Sequence, residues 1–243
     1  MIIDTLKSHS SVRSYTDYEL TKEDVAELIE AGQHAASSHF VQAYSVIWVR
    51  DPEKRKQLAE LSKNPKQILG AGAVLLFCGD FSRLKEAAKL HGKDIAVGPA
   101  ENLLVASIDV ALFAQNVAVA AESKGYGICY IGGVRNAPSE ISQLFGLPKG
   151  VFPAFGMTIG VPAERNEVKP RLPLNAILHE DGYEQDKYPE ILKEYDQTMN
   201  DYYLERGSNN KNTNWSEQMA DYLEKPRRLH MKEFLKEQGF TFD

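Results

Sequence analysis

Apolar residues recur along the chain both in short runs and in longer stretches with helical spacing. The runs at 44–50 and 72–80 are β-branched or apolar and are bounded by charge or glycine, which is typical of strands. The runs at 128–133 and 151–161 predict two further strands, and the first of these ends at its pair of glycines. We therefore expect a sheet of at least four strands.

Helical spacing is found between these runs. Thr21 is a candidate N-cap with Asp24 at the N3 position, which predicts a helix over about 21–35. Residues 101–124 carry the strongest helical signal, apolar on nearly every face and ending at the Gly125 stop. Two shorter helices are predicted at 52–63 and 139–147.

Strands that alternate with helices indicate an α+β or α/β core over about residues 1–165. After Pro173 the pattern changes to three amphipathic, polar-rich helices with no strand between them. Their apolar residues need a surface, so this tail either covers its own core or reaches onto a second subunit. With no internal repeat or low-complexity linker, we expect one domain over residues 1–243 with a helical C-terminal extension over about 174–243.

Composition narrows the class of protein. Of the 243 residues, 43% are hydrophobic and 26% are charged, as in a water-soluble globular protein. The net charge of −6 and the pI of about 5.6 argue against general attraction to nucleic acid or to an anionic membrane surface. Any anion site must therefore be local.

Three features favour a cytoplasmic location. The first ten residues have neither a basic segment nor an apolar segment of the secretory type. The longest apolar stretch, 103–121, is interrupted by Asp109 and by an adjacent Gln-Asn pair, which favours a buried helix over a membrane span. Cys78 and Cys129 lie in apolar runs without CxxC spacing, so we expect buried, reduced thiols.

Several common catalytic motifs are missing from the sequence. It contains no GxxxxGK[ST], GxSxG, HExxH or paired CxxC, and its glycine clusters lack the third glycine of a dinucleotide fingerprint. His34 and His39 are five residues apart with no acidic or thiol partner at ligand spacing, so no metal site is expected.

Polar, basic loop segments remain as candidate chemistry. Taken singly, such segments are mostly caps, turns or solvated surface. Together they describe a phosphate-bearing ligand held by arginine, serine and backbone N–H groups without a P-loop. The five segments are HSSVRSY (9–15), ASSHFVQAYS (36–45), YIGGVRN (130–136), KPRLP (169–173) and RGSNNK (206–211).

These segments, in this order, resemble the nitroreductase superfamily, and most closely its branch of NADPH-dependent flavin reductases and oxygen-insensitive nitroreductases. HSSVRSYTD resembles the opening motif H-R-S-[IV]-R-x-[FY]-[TS]-D, and SSHFVQAYS resembles the serine-rich S-S-S-F-x-Q segment. The stretch from Ala100 to Gly127 resembles the long central helix of the family. YIGGVRN, KPRLP and YYLERGSNNKNTNWS resemble its three later motifs.

The resemblance implies a fold and an assembly. The fold is α+β, a sandwich in which a mainly antiparallel sheet is flanked by helices and followed by a helical C-terminal extension. The assembly is a domain-swapped homodimer with two FMN molecules in clefts at the subunit interface. The apolar 101–124 helix suits the core of such a dimer.

The resemblance also assigns residues to FMN. The 9–13 segment corresponds to the phosphate and ribityl end, with Arg13 as a candidate for the pyrimidine edge as well. A cation at that edge stabilises the negative charge that reduced flavin gathers at N1 and C2=O. The implied FMN contacts are His9, Ser10, Ser11, Val12, Arg13, Ser37, Ser38, Gln67, Tyr130, Ile131, Gly132, Gly133, Lys169, Pro170 and Arg171.

The same comparison assigns Arg206 and Lys211 to the 2′-phosphate of NADPH. Lys211 stands where arginine is common, which removes a bidentate donor. His39, Phe40 and Gln42 are assigned to the substrate face, with His39 in place of a third serine. Another departure is Pro65, which stands where the branch often has a glutamine against the flavin ring; Gln67 is the candidate replacement.

The function implied is an FMN-dependent NADPH oxidoreductase that reduces nitroaromatics, quinones or free flavin in a ping-pong, two-electron cycle. An alternative is an FMN- or nucleotide-binding sensor or carrier without turnover, which also accounts for the anion loops. A third hypothesis is a purely structural dimerisation protein, but it does not explain why YIGG, KPRLP and RGSNNK occur together. The expected partners are small-molecule electron acceptors and a second copy of the chain, with no nucleic acid and no membrane.

Overall fold

A computed structural model describes residues 1–207 and 210–242 of the chain. By their contacts the residues divide into two compact units, one made of Met1–Asn166 with Arg228–Asp243 and the other of Glu167–Arg227. The end of the predicted C-terminal extension therefore belongs with the first unit. The expectation of a single domain stays a prediction.

A four-stranded sheet lies at the centre of the first unit. Its strands are β1 (Tyr44–Trp48), β2 (Ala73–Asp80), β3 (Gly127–Ile131) and β4 (Val151–Gly160). They lie in the order β1-β2-β4-β3, and each neighbouring pair is antiparallel. All four predicted strands are confirmed, and the antiparallel pairing decides for α+β over α/β.

Ten α-helices accompany the sheet in the described part of the chain. They are α1 (Ile2–Lys7), α2 (Lys22–Gln33), α3 (Pro52–Ser62), α4 (Pro65–Gly70), α5 (Ser82–Lys89), α6 (Ala100–Ser123), α7 (Pro138–Phe145), α8 (Tyr188–Glu205), α9 (Trp215–Leu223) and α10 (Met231–Glu237). The Thr21 cap is confirmed, since its side chain accepts from the Asp24 N–H while the Asp24 carboxylate accepts from the Thr21 N–H. The sequence patterns did not predict α1, α4 or α5.

Strand β2 is buried on both faces. Leu75 and Phe77 point into one apolar cluster, which α2 and α6 complete, while Leu76 and Cys78 point into another, completed by α3, α4 and α7. The sequence of β2 shows no alternation of apolar and polar residues, because both faces of the strand need apolar side chains. Helices on both sides of the sheet explain this, and they confirm the sandwich.

Helix α6 crosses the first cluster. It meets α2 at Gly32, where a Cβ would overlap Val117 and Phe113. By length and composition alone, α6 is the one helix in the described residues that would also suit a membrane span. Its buried face, which includes Asp109, instead packs in the core as expected for 101–124.

The second unit has its own small core. Tyr195, Met199 and Tyr203 of α8 are buried at helical spacing, and Trp215 of α9 packs against them. Helix α10 lies in the first unit, where Phe234 belongs to the main cluster.

Candidate functional site

The segment 9–16 follows α1 and runs beside the ends of two strands. The Val12 N–H donates to the Ile128 carbonyl at 2.9 Å, and the Thr16 N–H donates to the Val161 carbonyl at 2.9 Å. Val12 is buried against Gly127, where a Cβ would overlap it. The backbone of the segment is therefore attached to β3 and to the end of β4.

Tyr15 adds a second attachment. Its hydroxyl lies 2.7 Å from the Val12 carbonyl, to which it donates, and 2.8 Å from Thr158 Oγ1. Burial raises the pKa of Tyr15. Tyr15 is thus a structural residue, and the polar side chains before it are presented from a fixed backbone.

Several hydrogen-bond donors of the 9–16 segment have few or no partners among the described residues. The hydroxyls of Ser10 and Ser11 make no hydrogen bond to another described residue. Arg13 is exposed, and its guanidinium donates a long hydrogen bond of 3.4 Å to the Ser11 carbonyl and also interacts with the Cys129 thiol. Its charge also opposes the rise that burial causes in the pKa of Cys129, so Arg13 lies next to β3. Free hydroxyls and a cation suit an anionic, oxygen-rich ligand.

His9 is held by an acidic residue of α6. Its Nδ1 lies 2.6 Å from Oε1 of Glu122, and the histidine ring keeps 30% of its surface exposed. Glu122 was not among the sequence candidates.

The loop 37–43 is organised by Asp109. Its carboxylate accepts from the Ser37 hydroxyl at 2.7 Å, the Ser38 N–H at 3.2 Å and the Ala43 N–H at 3.0 Å. The Ser37 oxygen in turn accepts from the Gln42 N–H at 2.7 Å. Because its one proton goes to Asp109, Ser37 can only accept from a ligand, whereas the Ser38 hydroxyl has no partner among the described residues.

Three residues assigned to the substrate face lie in this loop with left-handed backbone. The φ angles are 46° at His39, 59° at Phe40 and 52° at Gln42. Such angles strain residues other than glycine, so the Asp109 hydrogen bonds must stabilise them. Phe40 is 78% exposed, which leaves a large apolar ring available to another molecule.

The end of β3 presents Tyr130. Its ring packs edge-on against Phe155 and its hydroxyl donates to Gln115 of α6 at 3.3 Å. Burial, helped by the charge of Glu122, raises the pKa of Tyr130. Tyr130 therefore stays protonated and faces the same acidic residue as His9.

The two glycines after β3 have different surroundings. A Cβ on Gly133 would overlap the Ser62 carbonyl oxygen and the Asn64 amide, whereas a Cβ on Gly132 would come to 3.4 Å from the Arg135 guanidinium. The expectation that both glycines admit a ligand has a competing explanation at Gly133, which packs against the chain itself.

The cations predicted in the last two motifs meet at one tyrosine of the second unit. Lys169 Nζ lies 5.1 Å, and Arg206 Cζ 4.8 Å, from the ring centroid of Tyr203. The Lys211 N–H donates to the Tyr203 carbonyl at 3.1 Å. Ser208 and Asn209 of the same motif lie outside the described residues.

Tyr203 responds to these charges. Burial alone raises its pKa, but hydrogen bonds from Lys169 and Gln218 and the charges of Lys169 and Arg206 bring the pKa below its usual value. Arg171 is exposed, and the Pro170 carbonyl accepts from the Tyr195 hydroxyl at 2.9 Å. Two motifs that the sequence assigned to different ligands are thus joined in one cluster.

The remaining assignments are placed as follows. Gln67 lies half-buried in α4, two residues after Pro65, the first residue of the helix. Ile131 is buried at the end of β3. No group of three potential metal ligands is found in the described residues.

Asp109, Glu122 and Tyr203 are the residues that sequence reasoning missed as parts of these sites. Asp109 had one signal, a charge inside an otherwise apolar helix. Glu122 and Tyr203 had none, because their partners His9 and Lys169 are far away in the chain.

Known proteins are similar to this chain in sequence and in fold. The chain matches the model described as "Nitroreductase family" over residues 6–161 and "Nitroreductase family, C-terminal domain" over 169–243. It is 58% identical to a Cr(VI) reductase of Pseudomonas sp. (strain G-1), covering 100% of both chains, and 39% identical to an FMN reductase (NADPH) of Bacillus subtilis (strain 168), covering 98% of each. The structure of the NfrA1 nitroreductase of B. subtilis matches with a TM-score of 0.95 at 38% identity, over 100% of both chains.

Proposed function

The chain belongs to the nitroreductase family, and we propose from this that it is an FMN-dependent NADPH oxidoreductase. The named activities of its relatives favour this over a sensor or carrier without turnover. The observation that carries the proposal in this chain is the anchored segment 9–13. It offers two hydroxyls that are unpaired among the described residues and the exposed guanidinium of Arg13 beside β3.

The donor set fits FMN. A phosphate needs charge-assisted donors, which Arg13, the Ser10 and Ser11 hydroxyls and His9 supply. Ser38 adds a free hydroxyl for the ribityl chain or the ring, and Ser37 adds an acceptor. Tyr130, Ile131, Gly132 and Gly133 are proposed to line the ring, and Lys169 and Arg171 to supply charge at the pyrimidine and phosphate ends.

When bound, FMN supplies the redox chemistry, taking a hydride from NADPH and passing the electron pair to an acceptor. The residues of the chain bind the cofactor and hold it in a fixed orientation. The fixed backbone of 9–16 limits movement of the phosphate end, and the Asp109-bound loop holds Phe40 at the acceptor side.

NADPH recognition is proposed at the Tyr203 cluster. Arg206 offers a guanidinium to the 2′-phosphate, and the adjacent Lys169 increases the positive charge there. Lys211 is proposed as the second cation of that site. Because lysine lacks the planar fork of arginine, NADPH preference is expected to be weaker than with arginine at this position.

The acceptors are proposed to be small molecules. Nitroaromatics, quinones and free flavin are flat electrophiles, and Phe40 offers a surface on which such a ring can stack. Chromate is added because the Pseudomonas relative is named for Cr(VI).

A homodimer and a cytoplasmic location are also proposed. Helix α6 exposes Leu104, Ile108 and Leu112 at helical spacing, and such an apolar stripe needs a cover. A second copy of the chain, exchanging its C-terminal helices, is the proposed cover. The buried free thiols of Cys78 and Cys129 suit a reducing compartment.

The test is a rapid-mixing comparison of NADPH and NADH as reductants of the FMN-loaded protein, followed by steady-state assays with menadione, nitrofurazone, FMN and chromate. We expect faster flavin bleaching with NADPH, and parallel lines when both substrates are varied. Arg206→Ala should lower the ratio of NADPH to NADH efficiency about tenfold, the scale of one lost charged contact. A protein that binds FMN but does not consume NADPH would contradict the enzyme and support the carrier.

Arg13 provides the test of cofactor binding. Arg13→Ala should lose FMN on dialysis, because its exposed guanidinium is the proposed cation for the FMN phosphate. Arg50→Ala is the matched control, since Arg50 lies over the Trp48 ring away from this segment. Full retention of FMN by Arg13→Ala would contradict the assigned role.

A further inference from the structure

Glu122 lies in the last turn of α6, and its side chain is only 12% exposed. A carboxylate at a helix C-terminus is disfavoured by the helix dipole, so the position does not stabilise the helix. The neighbouring Lys124 pairs with Glu27 instead of Glu122. Within the described residues, the hydrogen bond of Glu122 is to Nδ1 of His9, at 2.6 Å.

This contact determines which nitrogen of the His9 ring is available to a ligand. A carboxylate only accepts, so Nδ1 must carry a proton and Nε2 is left for another partner. If the ring is neutral, Nε2 presents a lone pair, which repels an anion. If both ring nitrogens carry protons, Nε2–H can donate to an anion while Nδ1–H donates to Glu122.

The backbone around His9 leaves its side chain little freedom. Ser8 closes α1 by donating its N–H to the Asp4 carbonyl at 2.9 Å, and Val12 is attached to β3. The backbone on both sides of His9 is therefore attached, and the hydrogen bond to Glu122 holds the ring. Tyr130 also lies near this pair, since the charge of Glu122 contributes to the rise in the Tyr130 pKa.

We propose that Glu122 is a positioning residue for the FMN phosphate, because it holds His9 with Nε2–H directed to donate to a phosphate oxygen. The inference rests on the proposed function, and in particular on His9 as a phosphate contact. It assigns a role to a residue of the central helix that need not touch the cofactor.

The experiment compares the affinities of the apoprotein for FMN and for riboflavin, which lacks the phosphate. The variants are Glu122→Gln, His9→Ala and the double variant, and the matched control is Glu101→Gln in the first turn of the same helix. In Glu122→Gln we expect FMN affinity to fall about tenfold, with riboflavin affinity within twofold of the parent. The double variant should bind FMN no more weakly than His9→Ala, because Glu122 acts through His9.

A second measurement does not depend on the cofactor. The ¹⁵N shifts of the His9 ring in the apoprotein, identified by the signals lost in His9→Ala, report which nitrogens carry protons. The parent should show a protonated Nδ1, and Glu122→Gln should lower the share of rings with a proton on Nδ1, because an amide can donate to that nitrogen as well as accept from it.

Three outcomes overturn the inference. Equal losses of FMN and riboflavin affinity in Glu122→Gln would indicate a merely structural role. Unchanged FMN affinity in Glu122→Gln, together with a selective loss in His9→Ala, would refute the role of Glu122 and leave the proposed function standing. No selective loss in His9→Ala would instead remove His9 from the proposed phosphate site, and the inference with it.

Discussion

At the scale of single residues, Gly133 lies in a short 3₁₀ helix, Gly132–Asn136, and contacts the turn between α3 and α4. Asn64 and Asn136 both donate to the Ser62 carbonyl here, so the turn is already hydrogen-bonded close to the glycine. A side chain at position 133 would have to displace this backbone. The requirement for glycine comes from packing, whether or not a ligand also approaches.

Gly133→Ala should therefore lower the free energy of unfolding by about 2 kcal/mol, the scale of overpacking in a tight interior. Gly132→Ala is the matched control and should cost less than about 1 kcal/mol, because its new methyl group faces the Arg135 side chain. Urea denaturation at constant m-value measures both. Equal losses in the two variants would contradict a packing role specific to Gly133.

Asp109 is a second single residue on which local structure depends, in this case through hydrogen bonds. A buried carboxylate without a cation is unfavourable unless hydrogen bonds satisfy it, and three donors from the 37–43 loop do so. In return the carboxylate holds a loop with three left-handed residues. The polar interruption of α6 is therefore what allows the candidate acceptor face to keep its shape.

At the scale of elements, α6 serves two surfaces. One face, which includes Val110, Phe113 and Val117, is buried in the main core. The opposite face exposes Leu104, Ile108 and Leu112. A helix that is apolar all round needs apolar neighbours all round, and one unit of this chain supplies them on one side.

Ile108→Glu should therefore convert the proposed dimer into monomers, since it places a charge in the apolar stripe. Sedimentation velocity or light scattering after gel filtration measures the mass. Leu90→Glu is the control, because Leu90 is 85% exposed at the end of α5 and away from the stripe. A parent protein that is monomeric at micromolar concentration would contradict the prediction.

At the scale of the whole molecule, several buried acids must lose protons when the protein unfolds in alkali. Burial raises the pKa values of Tyr15, Tyr130 and Cys78 above their ordinary values. The unfolded chain then binds fewer protons than the folded chain above the ordinary pKa values of these groups. Stability should be fully present below about pH 8.5 and should fall as the pH rises towards 10 and beyond.

Thermal unfolding followed by circular dichroism between pH 7 and 10.5 tests this prediction. We expect Tm to be nearly constant to about pH 8.5 and to decrease above it. Tyr15→Phe should lower the stability at pH 7 by about 1–2 kcal/mol through its lost hydrogen bonds, but should reduce the alkaline slope. A Tm that does not change with pH in the parent would contradict the linkage.

The sequence by itself determined the four strands, the long central helix, the Thr21 cap and the family. These features depend on local periodicity and on short motifs, and both can be read from residues that are close together in the chain. It did not reveal α1, α4 or α5, because α1 and α4 have only six residues each and α5 buries none of its own.

The tertiary structure alone decided which polar groups are free and which are occupied. Ser37 and Ser10 look alike in the sequence, yet one donates to Asp109 and the other has no partner in the described residues. Likewise, Glu122 meets His9 across 113 positions of the chain, and Lys169 meets Arg206 at Tyr203. Hydrogen bonds and ion pairs act over a few ångströms in space, so the spacing of residues along the chain could not predict these contacts.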